Sequence, residues 1–301
     1  MRTRVDTELR DVSLAADLAD LFKVRIASFV GLSAFVGGIL APGARAWPAF
    51  EASLWITLSA GAASAFNQVL ERETDRRMER TRNRPIPAGR IAPRDALLVA
   101  ALMAAVAVGM LAWRFSLLSA LLALATLFAY VAVYTPLKRA STLNTVVGAV
   151  PGAAPPLLGY VAIAGHPAGW AWALFAVIFV WQFPHFMAIA WLYREDYARA
   201  GLRMLPSEPG AEGLAGRTAL VYASLLLPVT IVPGLWGEAG LVFTIGAIVL
   251  GLGYLAASAR FAWKQERATA RQLLLVSLVY LPLVLLLAAL DPTSGAYAAF
   301  R

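Results

Sequence analysis

The 301-residue chain contains no cysteine, so it has no disulfide framework and no thiolate metal site. Histidine is nearly as scarce, with two residues. Charged residues make up 15% of the chain, against roughly 25% in ordinary soluble domains. Hydrophobic residues make up 60%. The polar surface that a water-soluble domain needs is missing. What fills its place is a series of apolar stretches of about 20 residues, each long enough to cross a hydrocarbon core about 30 Å thick. Nine are predicted: 22–42, 52–70, 96–113, 116–134, 144–164, 169–193, 217–235, 240–262 and 270–290. The expected fold class is all-α: a polytopic membrane protein with nine transmembrane helices around a central cavity.

Basic residues are almost absent from one side of this arrangement. With nine spans and the N-terminus in the cytoplasm, 23 of the 26 Lys and Arg residues fall inside, and only Arg45, Arg114 and Arg301 fall outside. That is the positive-inside pattern. The net charge of +8 therefore reports topology in a lipid bilayer rather than a nucleic-acid partner. No cleavable leader is apparent in residues 1–20, a polar cytoplasmic segment in which Leu14, Leu18 and Leu21 have the spacing of an interfacial helix. Residues 21–292 read as one membrane domain, and 293–301 as a short far-side tail. Outer loops are short. Two cytoplasmic loops, 71–95 and 194–216, are long and polar, which marks them as functional.

Both long loops follow acidic helix ends. Asn67, Glu71 and Asp75 are spaced four apart, on one face of a helix. An amide and two carboxylates in that register suit a hard divalent cation. The loop beyond them carries Arg76, Arg77, Arg80, Arg82 and Arg84, the chemistry that grips phosphate. Asn67 lies inside an apolar span, where a polar side chain is costly. Together these residues suggest an enzyme acting on a lipid diphosphate. Glu195 and Asp196, beside Arg194, end the sixth span and form a candidate second ion site on the same membrane face. His185, in the same span, is expected on one continuous helix with Asp196, roughly 16 Å away along the axis. Pro136 is expected to end the fourth span just after Tyr134, with Lys138 and Arg139 following; Asn144 opens the next span. The run from Gly148 to Gly159 admits two readings: close helix packing, or room for a bulky substrate. His166, in a short outer loop, reads as a solvated residue.

At these residues the chain resembles the UbiA superfamily of intramembrane aromatic prenyltransferases. The match runs through Asn67-x3-Glu71-x3-Asp75, Met78-x-Arg80-Thr-Arg82-x-Arg84-Pro85, Tyr134-Thr-Pro-Leu-Lys138-Arg139, Gly148-x3-Gly152 and Tyr193-Arg-Glu195-Asp196-Tyr197. Relatives more often carry Asp where Glu71 stands, and their second acidic motif is fuller. The run Trp181-Gln182-x-Pro184-His185-Phe186 resembles the haem-farnesylating branch. The resemblance implies farnesyl diphosphate as donor, haem b as acceptor rather than cofactor, and one or two Mg²⁺ held by Asn67, Glu71, Asp75, Glu195 and Asp196. Arg82, Arg84, Lys138, Arg139, Asn144, Tyr134, Gln182 and Arg194 would bind substrate. His185 would either contact a porphyrin, through iron or propionate, or act as an acid/base. A bacterial inner membrane, and a haem A synthase or oxidase-assembly partner, are implied as well. The rivals are another ring acceptor, such as 4-hydroxybenzoate or a chlorophyllide, and a transporter. A transporter would place its ionisable groups near the bilayer midplane; here they gather at one interface.

Overall fold

The computed structural model describes residues 13–208, 210–211, 213–291, 293, 296 and 299. Among them there are helices and no strands. In chain order these are α1 (Leu14–Leu21), α2 (Val24–Ile39), α3 (Ala46–Arg77), α4 (Pro93–Arg114), α5 (Leu117–Phe128), a π-helical turn (Ala129–Tyr134), α6 (Thr135–Ala140), α7 (Asn144–Ala164), α8 (Gly169–Leu192), α9 (Arg194–Arg199), a 3₁₀ turn (Leu205–Ser207), α10 (Leu214–Leu235), α11 (Leu241–Lys264) and α12 (Arg267–Leu290).

Among the described residues, seven helices are long and apolar enough to cross a membrane, or eight if the bent pair α1–α2 is one span. The expected count of nine is thus not met by length and composition. The helix that falls short is α3. It is 32 residues long, but Ser53, Ser59, Ser64, Asn67 and Gln68 dilute its apolar face, and all five are buried. The polar face of α3 is covered by α2, α4, α5 and α7 rather than by lipid, while Trp47, Phe50, Leu54 and Leu70 point outward, so its sequence need not be continuously hydrophobic. By contrast, Leu97, Leu98, Leu102, Leu121, Ile245, Val249, Leu252 and Leu275 point outward on α4, α5, α11 and α12. Such a continuous apolar surface belongs in a bilayer.

The centre of the bundle is α7, packed between α2 and α8. Its small residues allow backbones to meet. Gly159 lies against the Ala34 carbonyl, and Gly37 of α2 lies against the Pro156 carbonyl. The small-residue run therefore serves close packing, the first of its two readings. Larger side chains complete the second half: Trp170, Phe243, Tyr254, Phe261 and Tyr280 are each at most 2% exposed.

Three local breaks set the positions of functional residues. Helices α1 and α2 meet at 51°, with Lys23 at the joint in the left-handed region at φ 47°. The chain does not leave the helix at Pro136. A π turn over Ala129–Tyr134 carries the axis through to Ala140. The wider turn spares the carbonyl four residues back from the proline ring. Finally, α8 stops at Leu192 and Tyr193 breaks the axis, so His185 and Asp196 are on different helices rather than one.

Candidate active site

The amphipathic spacing of α1 does produce a helix, with Leu21 buried and Leu14 exposed. Two contacts tie it to the rest. Arg90 grips Asp17 at 2.8 to 3.1 Å, and Gln68 donates to the carbonyls of Asp20 and Leu21 at 2.8 and 3.1 Å. The loop after α3 is thereby folded back onto α1. Between them opens a cavity of about 750 Å³, walled by α1–α2, the end of α3, Arg80 and Arg84 of the loop, the π turn, Phe186 of α8, and the segment Tyr197–Met204.

Asn67, Glu71 and Asp75 form the polar floor and are 1%, 7% and 0% exposed. Each faces a cation or its equivalent. Lys23 Nζ donates to Asn67 Oδ1 at 3.2 Å, and Asn67 Nδ2 donates to Thr135 Oγ1 at 3.1 Å. Lys138 Nζ approaches the two Glu71 oxygens at 2.9 and 3.2 Å. Arg84 donates to Asp75 Oδ2 at 2.9 Å. Asp75 Oδ1 is buried with no partner. Both carboxylates lie beyond the apolar stretch of α3. Burial raises the Asp75 carboxyl above its ordinary value, against the pull of Arg84 and with the Glu71 charge adding to the rise. Burial acts likewise on Glu71, but Lys138, and then Lys23 and Asn67, outweigh it and leave the group lowered.

The aromatic wall is built by Tyr130 and Tyr134, whose ring centroids are 5.2 Å apart. Lys138 Nζ sits 4.6 Å from the Tyr134 ring. The two long loops do converge: Arg80 lies 5.0 Å from the Tyr193 ring and donates to the Tyr197 hydroxyl at 3.4 Å. Met78 packs with Tyr197, Leu202 and Met204.

Of the residues expected from sequence, the fold brings Asn67, Glu71, Asp75, Arg84, Tyr134 and Lys138 to this cavity. The others stand elsewhere. Arg139 donates to Thr74 Oγ1 at 2.5 Å. Asn144 ties the Ser141 and Arg203 carbonyls together. Gln182 donates to the Ala149 carbonyl at 2.8 Å, seated against Gly152. Arg82 is exposed near Glu79. Arg194 lies over Trp191 at 4.3 Å. The second acidic pair does not face the first. Glu195 has 82% of its side chain exposed, and Asp196 is paired with Arg199. Among the described residues no three His, Cys, Asp or Glu side chains gather to hold a metal. An ion at the floor would therefore lean on the Asn67 amide and on substrate oxygens. His185 accepts or donates at Ser277 Oγ, 2.7 Å away, and stacks on Trp181 with centroids 5.0 Å apart. His166 is exposed, as its loop position suggests.

Sequence reasoning missed Lys23, Tyr130 and Thr135. Lys23 counted only toward orientation, although its place at the head of an apolar run was a usable signal. Nothing in the local sequence marked the π turn.

The chain is similar to known proteins in sequence and in fold. A model described as the UbiA prenyltransferase family matches residues 30–292. A protoheme IX farnesyltransferase of Koribacter versatilis (strain Ellin345) is 40% identical over 93% of this chain and 94% of its own. A protein of the same name from Myxococcus xanthus (strain DK1622) is also 40% identical, over 93% and 95%. In structure, the chain resembles a UbiA homolog from Aeropyrum pernix K1, with TM-score 0.66 and 18% identity over 91% of this chain and 98% of that one. It also resembles one from Archaeoglobus fulgidus bound to GPP and Mg²⁺, with TM-score 0.63 and 18% identity over 90% and 99%.

Proposed function

The chain belongs to the UbiA prenyltransferase family, and from that premise we propose that its cavity transfers a farnesyl group from farnesyl diphosphate to a vinyl group of protoheme IX, with addition of water. The observation that carries the site assignment is the buried floor of Asn67, Glu71 and Asp75, with Lys23, Lys138 and Arg84 fixed around it.

The floor fits Mg²⁺. Its donors are hard oxygens, and the buried, partnerless Asp75 Oδ1 is an acceptor in want of a cation. Asn67, Glu71 and Asp75 would hold the ion. When bound, Mg²⁺ supplies Lewis-acid stabilisation of the departing diphosphate. Glu195 and Asp196 can serve a second ion only if Asp196 leaves Arg199, so one ion is the simpler assignment. The relative bound to GPP and Mg²⁺ supports this use of the metal.

The chain's own groups do the rest. Arg84, Lys138 and Lys23 neutralise the diphosphate and hold it against the floor. Arg82 and Arg194 lie outside the cavity lining, near Glu79 and over Trp191, and would meet the phosphates only on arrival. Arg139, Asn144 and Gln182 fix the walls through Thr74, Arg203 and Ala149. Tyr134, with Tyr130 and Phe186, encloses the allylic carbon and keeps water away until the vinyl group has attacked. His185, on the α8 turn beside Phe186, addresses the porphyrin. In the membrane, α3 completes nine crossings, with the N-terminus and both long loops in the cytoplasm of a bacterial inner membrane. A haem A synthase or an oxidase-assembly factor would take the product.

The test is product analysis of membranes supplied with haem b and farnesyl diphosphate. A farnesylated, hydrated haem should form with Mg²⁺ and disappear with chelator. Its absence in the presence of Mg²⁺ would refute the assignment.

A further inference from the structure

The π turn is a departure from regular helix inside the cavity wall, and both of its tyrosines line the cavity. A π turn is wider than an α turn, so residues four apart come closer to a single line along the axis. Tyr130, Tyr134 and Lys138 are spaced in that way. What holds the turn open is Thr135, which is 4% exposed. Its backbone N–H donates to the Tyr130 carbonyl, closing the wide turn, and its hydroxyl donates to the same carbonyl at 2.9 Å. The same hydroxyl accepts from Asn67 Nδ2 at 3.1 Å, and Asn67 Oδ1 accepts from Lys23 at 3.2 Å. A continuous chain of hydrogen bonds thus joins Lys23, Asn67 and Thr135 to the backbone of Tyr130.

We propose that Thr135 is a positioning residue that locks the π turn to Asn67, so that the Tyr130 ring faces the allylic cation and shields it from water. This rests on the prenyl-transfer reading. The chemistry gives it a distinct signature. When the allylic C–O bond breaks, its electron pair stays on the diphosphate oxygen and the allyl group is left positive. The acceptor's vinyl electrons can close the new C–C bond, or water can add and release a proton, giving the free prenyl alcohol. An aromatic face in register with the cation stabilises it and occupies the volume that water would take. If the turn relaxes to α-helical register, the ring swings away and the alcohol share rises. Arg84, on the loop after α3 and held by Asp75, keeps its place against the diphosphate whatever that register.

The experiment measures prenyl alcohol and prenylated acceptor in the same reaction, together with KM for farnesyl diphosphate, for wild type, Thr135→Val, Thr135→Ser, Tyr130→Leu and Tyr130→Phe in the full-length membrane protein. Thr135→Val keeps volume and the backbone bond to the Tyr130 carbonyl, but its side chain can bond neither Asn67 nor that carbonyl. It should raise the alcohol-to-product ratio about ten-fold, the scale of a desolvated cation–π contact, with the Arg84 contact to the diphosphate keeping KM within about ten-fold of wild type. Thr135→Ser should restore the wild-type ratio, and Tyr130→Leu should match Thr135→Val while Tyr130→Phe stays near wild type. A wild-type ratio in Thr135→Val, or equal loss in Val and Ser, would overturn the positioning role. Where Thr135→Val does not fold, a wild-type ratio in Tyr130→Leu overturns the proposal on its own. Failure of the prenyl-transfer reading is seen separately, in the wild type, as absence of any prenylated haem. The variants are scored against whatever prenylated acceptor the wild type forms.

Discussion

Lys138 Nζ and Glu71 Oε1 meet at 2.9 Å with 15% and 9% of their side chains exposed, although they are 67 positions apart in the chain. One comes from the end of α6 and the other from the end of α3. Their pairing draws the fourth apolar segment to the metal stripe.

Breaking that pair should cost stability as well as activity. Lys138→Met strands a buried carboxylate, which costs about 3–5 kcal/mol. The double variant Lys138→Met/Glu71→Gln removes both charges and should recover most of the lost thermal stability in detergent. Neither variant should turn over at more than about a hundredth of the wild-type rate, since each lacks a group that faces the departing charge. A double variant as unstable as the single would mean that packing, not charge, is what Lys138 supplies.

Asp75→Asn retains shape and loses charge. The bundle should still insert, because the site is at the end of α3, but turnover should fall by about 10²–10³. Glu71→Asp keeps the charge on a shorter stem and should retain part of the activity while requiring more Mg²⁺ for half-maximal rate. A magnesium titration of turnover for the two variants distinguishes them. Full activity in Asp75→Asn would remove the metal role from the stripe.

The glycines of α7 separate packing from catalysis. An added methyl at Gly159 meets the Ala34 backbone carbonyl, which cannot move without α2. Gly159→Ala should therefore give poor folding, with a cost at or above the usual 1–3 kcal/mol or so for overpacking. At Gly148 the methyl would meet the Tyr134 ring, 2.5 Å away. A ring can shift where a backbone cannot, so Gly148→Ala should fold, run normally on size exclusion, and lose rate. The reverse ranking in folded yield would contradict the packing described for α7.

How much of this was legible in the sequence follows from what each signal depends on. The apolar runs, the stripe Asn67–Glu71–Asp75 and the basic loop depend on residue type and helical spacing alone, and the fold keeps all three. The polar face of α3 looks like a defect in a membrane span until its neighbours are known, because protein, not lipid, surrounds it. Side-chain direction beyond a helix break is not readable from spacing. The break at Tyr193 resets the helical phase, turning Glu195 to solvent and Asp196 to Arg199. The joint at Lys23 and the π turn at Ala129–Tyr134 are set by contacts from α3, 44 and 68 positions away in sequence, so no local window could show them.

His185 gives the sharpest prediction about the acceptor. Ser277 Oγ donates its proton to the Leu274 carbonyl at 2.6 Å, so its lone pairs face His185 Nδ1 at 2.7 Å. Nδ1 must then carry the hydrogen, which leaves the lone pair on Nε2. The ring is held by stacking on Trp181, whose Nε1 donates to the Ser277 carbonyl at 3.0 Å. A stacked imidazole whose lone pair is on Nε2 has the chemistry to meet an iron or a porphyrin edge. His185→Ala should weaken haem binding by about ten-fold or more, as expected for loss of one strong polar contact, while farnesyl diphosphate affinity stays within a few fold. Ser277→Ala keeps the imidazole but frees its tautomer, and should fall between the two in haem affinity. Spectral titration of haem, beside equilibrium binding of a farnesyl diphosphate analogue, separates the sites. Unchanged haem affinity and turnover in His185→Ala would reduce His185 to a clasp between α8 and α12.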